Sequence, residues 1–159
     1  EDGLYSVTVF RVSSDEAVDL GCLDGRIGDN GIEDVNAFSW VERINLLGTY
    51  KGERNVGIGS EGLPEAKEDA WKIIWDKKPL VLKQELEVIV QNEDGSTENR
   101  VLPAGTELIP QETDKETYLD AETSYGTQCR IEVETEDGHT YMIHGVDEHA
   151  YFADLPYAG

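Results

Sequence analysis

Two Asp-Gly dipeptides, each placed after an alternating run, constrain the fold of this chain more than any other sequence feature. Apolar and polar residues alternate over residues 86–90 before Asp94-Gly95, and again over residues 129–135 before Asp137-Gly138. Asp-Gly following such a run is a strong signal for a β-hairpin. We therefore predict that the chain from about residue 80 onward consists of β-strands.

The register of the second hairpin has two alternatives. A two-residue loop, Asp137-Gly138, would make Cys129 a diagonal neighbour of His144 on the same face of the sheet. A three-residue loop that begins at Glu136 would gather the apolar side chains on one face and send His144 to the other. We favour the three-residue loop because it groups the apolar residues better.

One helix is predicted, over about residues 64–78. Pro64 fits the first helical position, acidic residues follow it near the positive end of the helix dipole, and two lysines precede Pro79, which would end the helix. Trp71 and Trp75 fall on one apolar face. A pair of tryptophans can form a ligand platform, but we interpret this stripe as core.

The first half otherwise mixes strands and loops. Residues 4–12 are rich in β-branched side chains and predict a strand, whereas Ser13 to Glu16 resembles a cap that begins a short turn or helix through Leu20. With 159 residues, the chain fits one domain or two small ones. We predict a mainly β protein, α+β overall: an N-terminal α+β unit over residues 1–82 and a β unit over residues 83–159, separate or around one shared core.

The charge of the chain excludes two classes of partner. It has 34 acidic and 13 basic residues, for a net charge of −21. Such a chain repels polyanions, so we expect neither nucleic acid nor an anionic membrane surface as a partner. Acidity also favours a soluble monomer. Partners compatible with it include a basic protein, a polyamine or a divalent ion.

Two cysteines offer little chemistry. Cys22 and Cys129 could pair in an oxidising compartment or lie separately as small buried residues. Cys129 with His144 is the only candidate for a nucleophile and its base, but no residues for orienting the base or stabilising an oxyanion are recognisable. We therefore predict that the chain is not an enzyme, with a hydrolase that uses Cys129 and His144 as an alternative.

Metal-binding patterns are incomplete. The three histidines of the second half stand at five-residue steps, which places them on one face of neither a strand nor a helix. The acidic loop over residues 24–34 departs from the EF-hand pattern, because Arg26 and Gly28 stand at ligand positions. We expect no metal and no cofactor, and keep a divalent-cation-binding surface protein as a further alternative.

Residues 103–159 resemble bacterial SH3-like (SH3b) modules. Residues 103–109 match the opening strand, residues 110–121 the long first loop, and residues 129–145 the central hairpin around Asp137-Gly138. Residues 146–152 match the short 3₁₀ turn, and residues 153–155 the closing strand. The cell-wall-binding members carry a Gly-Trp pair after the hairpin, where this chain has His144-Gly145-Val146. The resemblance implies a five-stranded barrel from about Val101 to Tyr157.

The resemblance also implies a function. SH3b modules bind proteins or cell-wall polymers, without chemistry of their own. If their groove carries over, Tyr118, Tyr125 and Tyr151 would line it. Tyrosine suits such a groove because it combines apolar area with a polar tip. We thus expect a non-enzymatic binding or structural module that recognises a protein or a wall polymer.

The first residues bear on location. The sequence starts with Glu-Asp-Gly, a polar stretch before the first predicted strand. Such a start is typical of a chain from which a signal peptide or lipid-anchor segment has been removed. We expect an extracellular or cell-envelope protein.

Overall fold

A computed structural model of the chain describes residues 6–74 and 78–156. These residues form fifteen strands and one 3₁₀ turn. The strands of the first half are β1 (Ser6–Val12), β2 (Ala17–Asp24), β3 (Arg26–Ile27), β4 (Phe38–Asn45), β5 (Thr49–Ile58), β6 (Pro64–Ala66) and β7 (Trp71–Ile74). Those of the second half are β8 (Leu80–Val81), β9 (Leu86–Gln91), β10 (Thr97–Leu102), β11 (Glu107–Thr113), β12 (Tyr118–Thr123), β13 (Gln128–Glu132), β14 (Met142–Ile143) and β15 (Val146–Asp147), followed by the 3₁₀ turn Glu148–Ala150. The mainly β class is confirmed.

One long antiparallel sheet runs through both halves of the chain. Its strand order is β10-β9-β13-β12-β11-β7-β5-β4-β3, with β6 beside β5 and β8 beside β11. The short strand β7 joins the halves, because it pairs with β5 on one side and with β11 on the other. Buried side chains from both halves belong to one hydrophobic cluster. The boundary after residue 82 stays a prediction.

The predicted helix over residues 64–78 is wrong. Residues 64–66 and 71–74 form β6 and β7, and residues 75–77, with Trp75, lie outside the described residues. Along β7 the side chains of Trp71 and Ile73 are buried whereas Lys72 is exposed, which is the period of a strand. Pairing with β5 and β11 buries these β-favouring side chains, and this tertiary gain outweighs the local capping signals.

The N-terminal strands form a separate hairpin. β1 pairs with β2 in a two-stranded antiparallel sheet, with a β-bulge at Val9 and Phe10. The predicted strand over residues 4–12 is confirmed for Ser6–Val12, and residues 4 and 5 lie outside the described part. The short turn or helix predicted through Leu20 is instead a turn at residues 13–16 followed by β2. The hydrogen bond from Ser13 N–H to Glu16 O, 2.8 Å, closes that turn.

The second Asp-Gly hairpin adopts neither predicted register. A bridge joins Glu134 to Met142, which leaves a longer loop around Asp137-Gly138. The Asp137 carboxylate holds that loop by accepting hydrogen bonds from two backbone N–H groups. The chain then reverses at His144 and Gly145, whose φ angles are 51° and 74°. This tight turn, which pairs β14 with β15, ends the strand that the predicted hairpin required.

The five-stranded barrel is not established by the strand pairing. The order of the main sheet is linear, and the segment matched to a long first loop, residues 110–121, contains most of β11 and the start of β12. The Asp94-Gly95 hairpin is confirmed as β9 and β10.

Pro156, the last described residue, lies against the turn between β4 and β5. That turn contains Leu46 and Leu47, which are 1% and 0% exposed. The Thr49 N–H donates a hydrogen bond to the Pro156 carbonyl, 2.7 Å away, and fixes the last described residues against the turn. Turn residues are normally exposed, whereas these two leucines belong to the hydrophobic core cluster.

Candidate functional site

Tyr118 lies at the start of β12, where an arginine covers its ring. The Arg130 guanidinium is 3.7 Å from the ring centroid. The same guanidinium donates two hydrogen bonds of 2.7 Å to the Asp120 carboxylate, which hold it in place and raise the pKa of Arg130. Burial raises the pKa of Tyr118, so its hydroxyl stays protonated. One face of this predicted binding residue is therefore already occupied.

Tyr125 is the most accessible of the three predicted tyrosines. It lies in the turn between β12 and β13 and is 63% exposed. Tyr118 and Tyr125 stand at opposite ends of β12, with about 17 Å of extended chain between them.

Tyr151 belongs to the core. It follows the 3₁₀ turn and is 9% exposed. Its carbonyl accepts a hydrogen bond from the Lys83 N–H, 2.7 Å away, which ties the end of the chain to the segment between β8 and β9. Because so little of its ring is accessible, Tyr151 offers a ligand much less surface than Tyr125.

The candidate nucleophile is buried. Cys129 is 1% exposed on β13, between Ala121 of β12 and Val90 of β9. Burial raises the pKa of its thiol to about 11, which holds it in the neutral, weakly nucleophilic form. The ring Nε2 of His144 lies 3.0 Å from the Glu87 carbonyl oxygen. Both cysteines are free thiols, with Cys22 exposed, so the predicted alternative of a Cys22–Cys129 disulfide is not adopted.

The acidic loop over residues 24–34 is held by internal contacts. Arg26 forms an ion pair with Asp29 at 2.7 Å, and the Asp34 carboxylate accepts a hydrogen bond from the Asn36 N–H at 2.8 Å. In the described parts of the chain, no three His, Cys, Asp or Glu side chains converge as metal ligands would.

Trp71 anchors a cluster of charges between the two halves. It is 2% exposed, as predicted for a core residue. The Arg54 guanidinium lies 4.2 Å and the Lys115 ammonium 3.9 Å from the centroid of its ring. Lys115 also pairs with Glu42 of β4, and the other carboxylate oxygen of Glu42 accepts from the Trp40 indole at 3.0 Å. This cluster fixes the β11–β12 loop on the N-terminal strands.

The outer face of the β1–β2 hairpin is the surface that sequence analysis missed. Phe10 and Val12 are 55% and 74% exposed, while Val7 and Leu23, on the inner face, pack against the core. The sequence of β1 contains a signal for this surface, because apolar side chains occur on both faces of the strand. One face packs against the protein and the other lies in solvent. Residues 3–14 also carry no acidic side chain, although the chain contains 34.

No known protein family, no curated protein and no solved structure shows significant similarity to this chain. Within the described residues, no helix has the length and apolar character needed to cross a membrane.

Proposed function

We propose that this chain is a non-enzymatic binding module that recognises another polypeptide through its β1–β2 hairpin. The observation that carries the proposal is the apolar outer face of the hairpin, with Phe10 and Val12 in solvent. Large side chains exposed side by side on a monomer mark interaction surfaces more often than isolated ones do. The neutral, buried thiol of Cys129 disfavours the alternative hydrolase.

The edge of the hairpin suits an extended segment of the partner. Among the described strands, β1 pairs only with β2, so its outer edge retains N–H and C=O groups for an added strand. Main-chain hydrogen bonds at such an edge supply affinity, and alternate side chains supply specificity. A partner strand with apolar residues would meet Phe10 and Val12.

Charge selects among such partners. The strand itself is free of acidic residues, but Asp15, Glu16 and Asp19 surround it and the whole chain has a net charge of −21. An extended segment that also carries lysine or arginine would therefore be attracted, and an acidic one repelled. This combination favours a basic, partly apolar polypeptide over a neutral wall polymer.

We also propose that residues 101–157 adopt an SH3-like arrangement. Three features support it: consecutive antiparallel strands β11, β12 and β13, a 3₁₀ turn after them, and backbone hydrogen bonds that return the end of the chain to β8. One of these joins Ala153 N–H to Val81 O at 3.1 Å. In this arrangement Tyr125 is the tyrosine that offers a free ring. Rapid hydrogen exchange of the Ala153 amide in the native protein would contradict it. The extracellular or cell-envelope location stays a prediction.

The experiment compares three forms of the chain. The wild type, the double variant Phe10→Ser/Val12→Ser and the control Val101→Ser are immobilised and exposed to extracytoplasmic proteins and, separately, to purified cell wall from the source organism. Val101 is a suitable control because it is 54% exposed, on a different strand. Circular dichroism verifies that all three are folded.

We expect the wild type and Val101→Ser to enrich the same polypeptide and the hairpin variant to lose it. Equal enrichment by the hairpin variant would contradict the role of β1. Enrichment of cell wall alone would replace the polypeptide with a polymer as the ligand, and no enrichment by any form would contradict a binding function.

A further inference from the structure

Glu148 is the most deeply buried acidic side chain in the described part of the protein. It opens the 3₁₀ turn and is 3% exposed. Its Oε1 lies 3.5 Å from the Tyr141 N–H, a long hydrogen bond, and its Oε2 is buried with no hydrogen-bond partner. Burial without a hydrogen-bond partner destabilises the ionised form of a carboxyl group.

The neighbouring hydroxyl groups do not compensate for this burial. Burial, and after it the negative charge of Glu148, raises the pKa of Tyr50 of β5 and of Tyr141. However, the Tyr50 hydroxyl donates to the Leu47 carbonyl at 2.7 Å, and the Tyr141 hydroxyl donates to the Asn45 carbonyl at 2.6 Å. Each phenol has a single proton to donate, so neither is left to stabilise an ionised Glu148.

Two charged groups of the same segment face Glu148 as well. Burial is the largest cause that raises the pKa of Glu148, and the negative charge of Asp147 adds to it. The hydrogen bond from Tyr141 N–H and the charge of His149 act in the opposite direction but do not cancel the effect. The pKa of Glu148 is therefore raised in the folded protein above the ordinary glutamate value.

The backbone of Glu148 holds the end of the chain in place. Its N–H donates to the Tyr141 carbonyl at 2.9 Å, and its own carbonyl accepts from Tyr151 N–H at 3.0 Å and Phe152 N–H at 3.2 Å. A movement of Glu148 toward water would break this set together. Further along this segment, the Pro156 carbonyl accepts a hydrogen bond from the Thr49 N–H at the β4–β5 turn, 2.7 Å away.

We propose that the 3₁₀ turn at residues 148–150 is a pH-sensitive latch. With Glu148 protonated, residues 141–156 stay packed over the β4–β5 turn. When Glu148 ionises, its side chain moves into water, the latch opens and the covered turn becomes accessible. This turn contains the buried apolar residues Leu46 and Leu47. The proposal is independent of the binding function assigned to the hairpin.

The direction of the pH dependence follows from the sign of the shift. A carboxyl group with a raised pKa in the folded state binds its proton more tightly there than in the open state. The latch is therefore closed most firmly in acid and weakens as the pH rises from the ordinary glutamate pKa to the raised one. Each pKa unit of difference changes the opening equilibrium about tenfold.

Hydrogen exchange tests the latch. The protection of the Tyr151 and Phe152 amides, corrected for intrinsic exchange rates, is measured between about pH 4 and about pH 8, a range that spans glutamate titration. We expect protection to fall with rising pH in the wild type and in the exposed control Glu132→Gln, and to stay level in Glu148→Gln. The variant His149→Asn, which removes a neighbouring side chain that acts on Glu148, should retain the fall.

Equal pH dependence in the wild type and Glu148→Gln would overturn the latch. If Glu148→Gln does not fold, the pH dependence of amide protection in the wild type is the deciding measurement. Protection that does not fall with rising pH would then overturn the latch. A carbon-13 NMR titration of the Glu148 carboxyl should give a midpoint above that of an exposed glutamate such as Glu132. A midpoint equal to or below that reference would overturn the proposal.

Discussion

Replacing Gly48 by alanine tests the contact between the end of the chain and the β4–β5 turn. Gly48 has a φ of +116°, and a Cβ atom at this position would stand 2.7 Å from the Pro156 carbonyl oxygen and 2.8 Å from its Cδ. Side chains rarely adopt such a φ, and the Pro156 backbone would have to move to admit the methyl group. Gly48→Ala should therefore destabilise the protein in two ways at once.

Gly21 provides a matched control. Its φ of +125° is nearly the same, but no atom lies within 4 Å of the position that its Cβ would take. Backbone strain costs about 1–3 kcal/mol in either variant. Displacing packed atoms costs about 1–3 kcal/mol more, and only in Gly48→Ala. The expected loss is thus about 2–6 kcal/mol for Gly48→Ala, and it should exceed the loss for Gly21→Ala.

Urea unfolding, followed by tryptophan fluorescence and circular dichroism, measures both losses. The two probes must give coincident transitions for the free energies to be compared. A loss for Gly48→Ala equal to or smaller than that for Gly21→Ala would refute the reasoning, since backbone strain alone would then explain it. Such a result would mean that Pro156 is not packed tightly against the turn.

Three further predictions concern other parts of the chain. Iodoacetamide should modify the exposed thiol of Cys22 in the native protein and spare Cys129, because burial raises the pKa of the Cys129 thiol to about 11. Mass spectrometry follows the labelling, and equally fast modification of both thiols would show that Cys129 is accessible. Burial raises the pKa of Asp114, but hydrogen bonds from a neighbouring threonine and three backbone N–H groups outweigh this effect and lower it. The stability that Asp114 contributes relative to Asp114→Asn should therefore be present above about pH 4 and be lost as the pH falls below it, and a pH-independent difference in melting temperature would contradict this. A double-mutant cycle on Arg130 and Asp120, with both replaced by alanine singly and together, should give a coupling energy of about 1 kcal/mol for this partly exposed bidentate pair, whereas additive losses would show that the pair contributes nothing.

The sequence predicts the β class because its evidence is local. Alternation and Asp94-Gly95 lie within one hairpin, and the structure forms that hairpin as expected. The other dipeptide, Asp137-Gly138, does mark a turn. Its register was not predictable, because it depends on the carboxylate that holds the loop and on the second reversal at His144.

The helix was predicted wrongly for a physical reason. Pro64 and the charges that follow it are acceptable at a helix start, but a proline is equally acceptable at the first residue of an edge strand such as β6. Trp71 and Ile73 are buried only because β5 and β11, distant in sequence, lie beside them. No short window of sequence contains this information.

Burial of the candidate site residues was not predictable from the sequence either. The tyrosine prediction selected side chains by type, and burial then separated exposed Tyr125 from buried Tyr151. Phe10 and Val12 were visible as apolar residues of a strand. Only the fold showed that the other face of that strand is the one that packs against the protein.

The most direct test of the account is hydrogen exchange on the chain bound to the polypeptide that it enriches from the extracytoplasmic fraction. The account predicts that slowed exchange in the bound state is concentrated in the amides of β1, Ser6–Val12, because an added strand occupies that edge. Slowed exchange confined to other strands, with β1 unchanged, would contradict it.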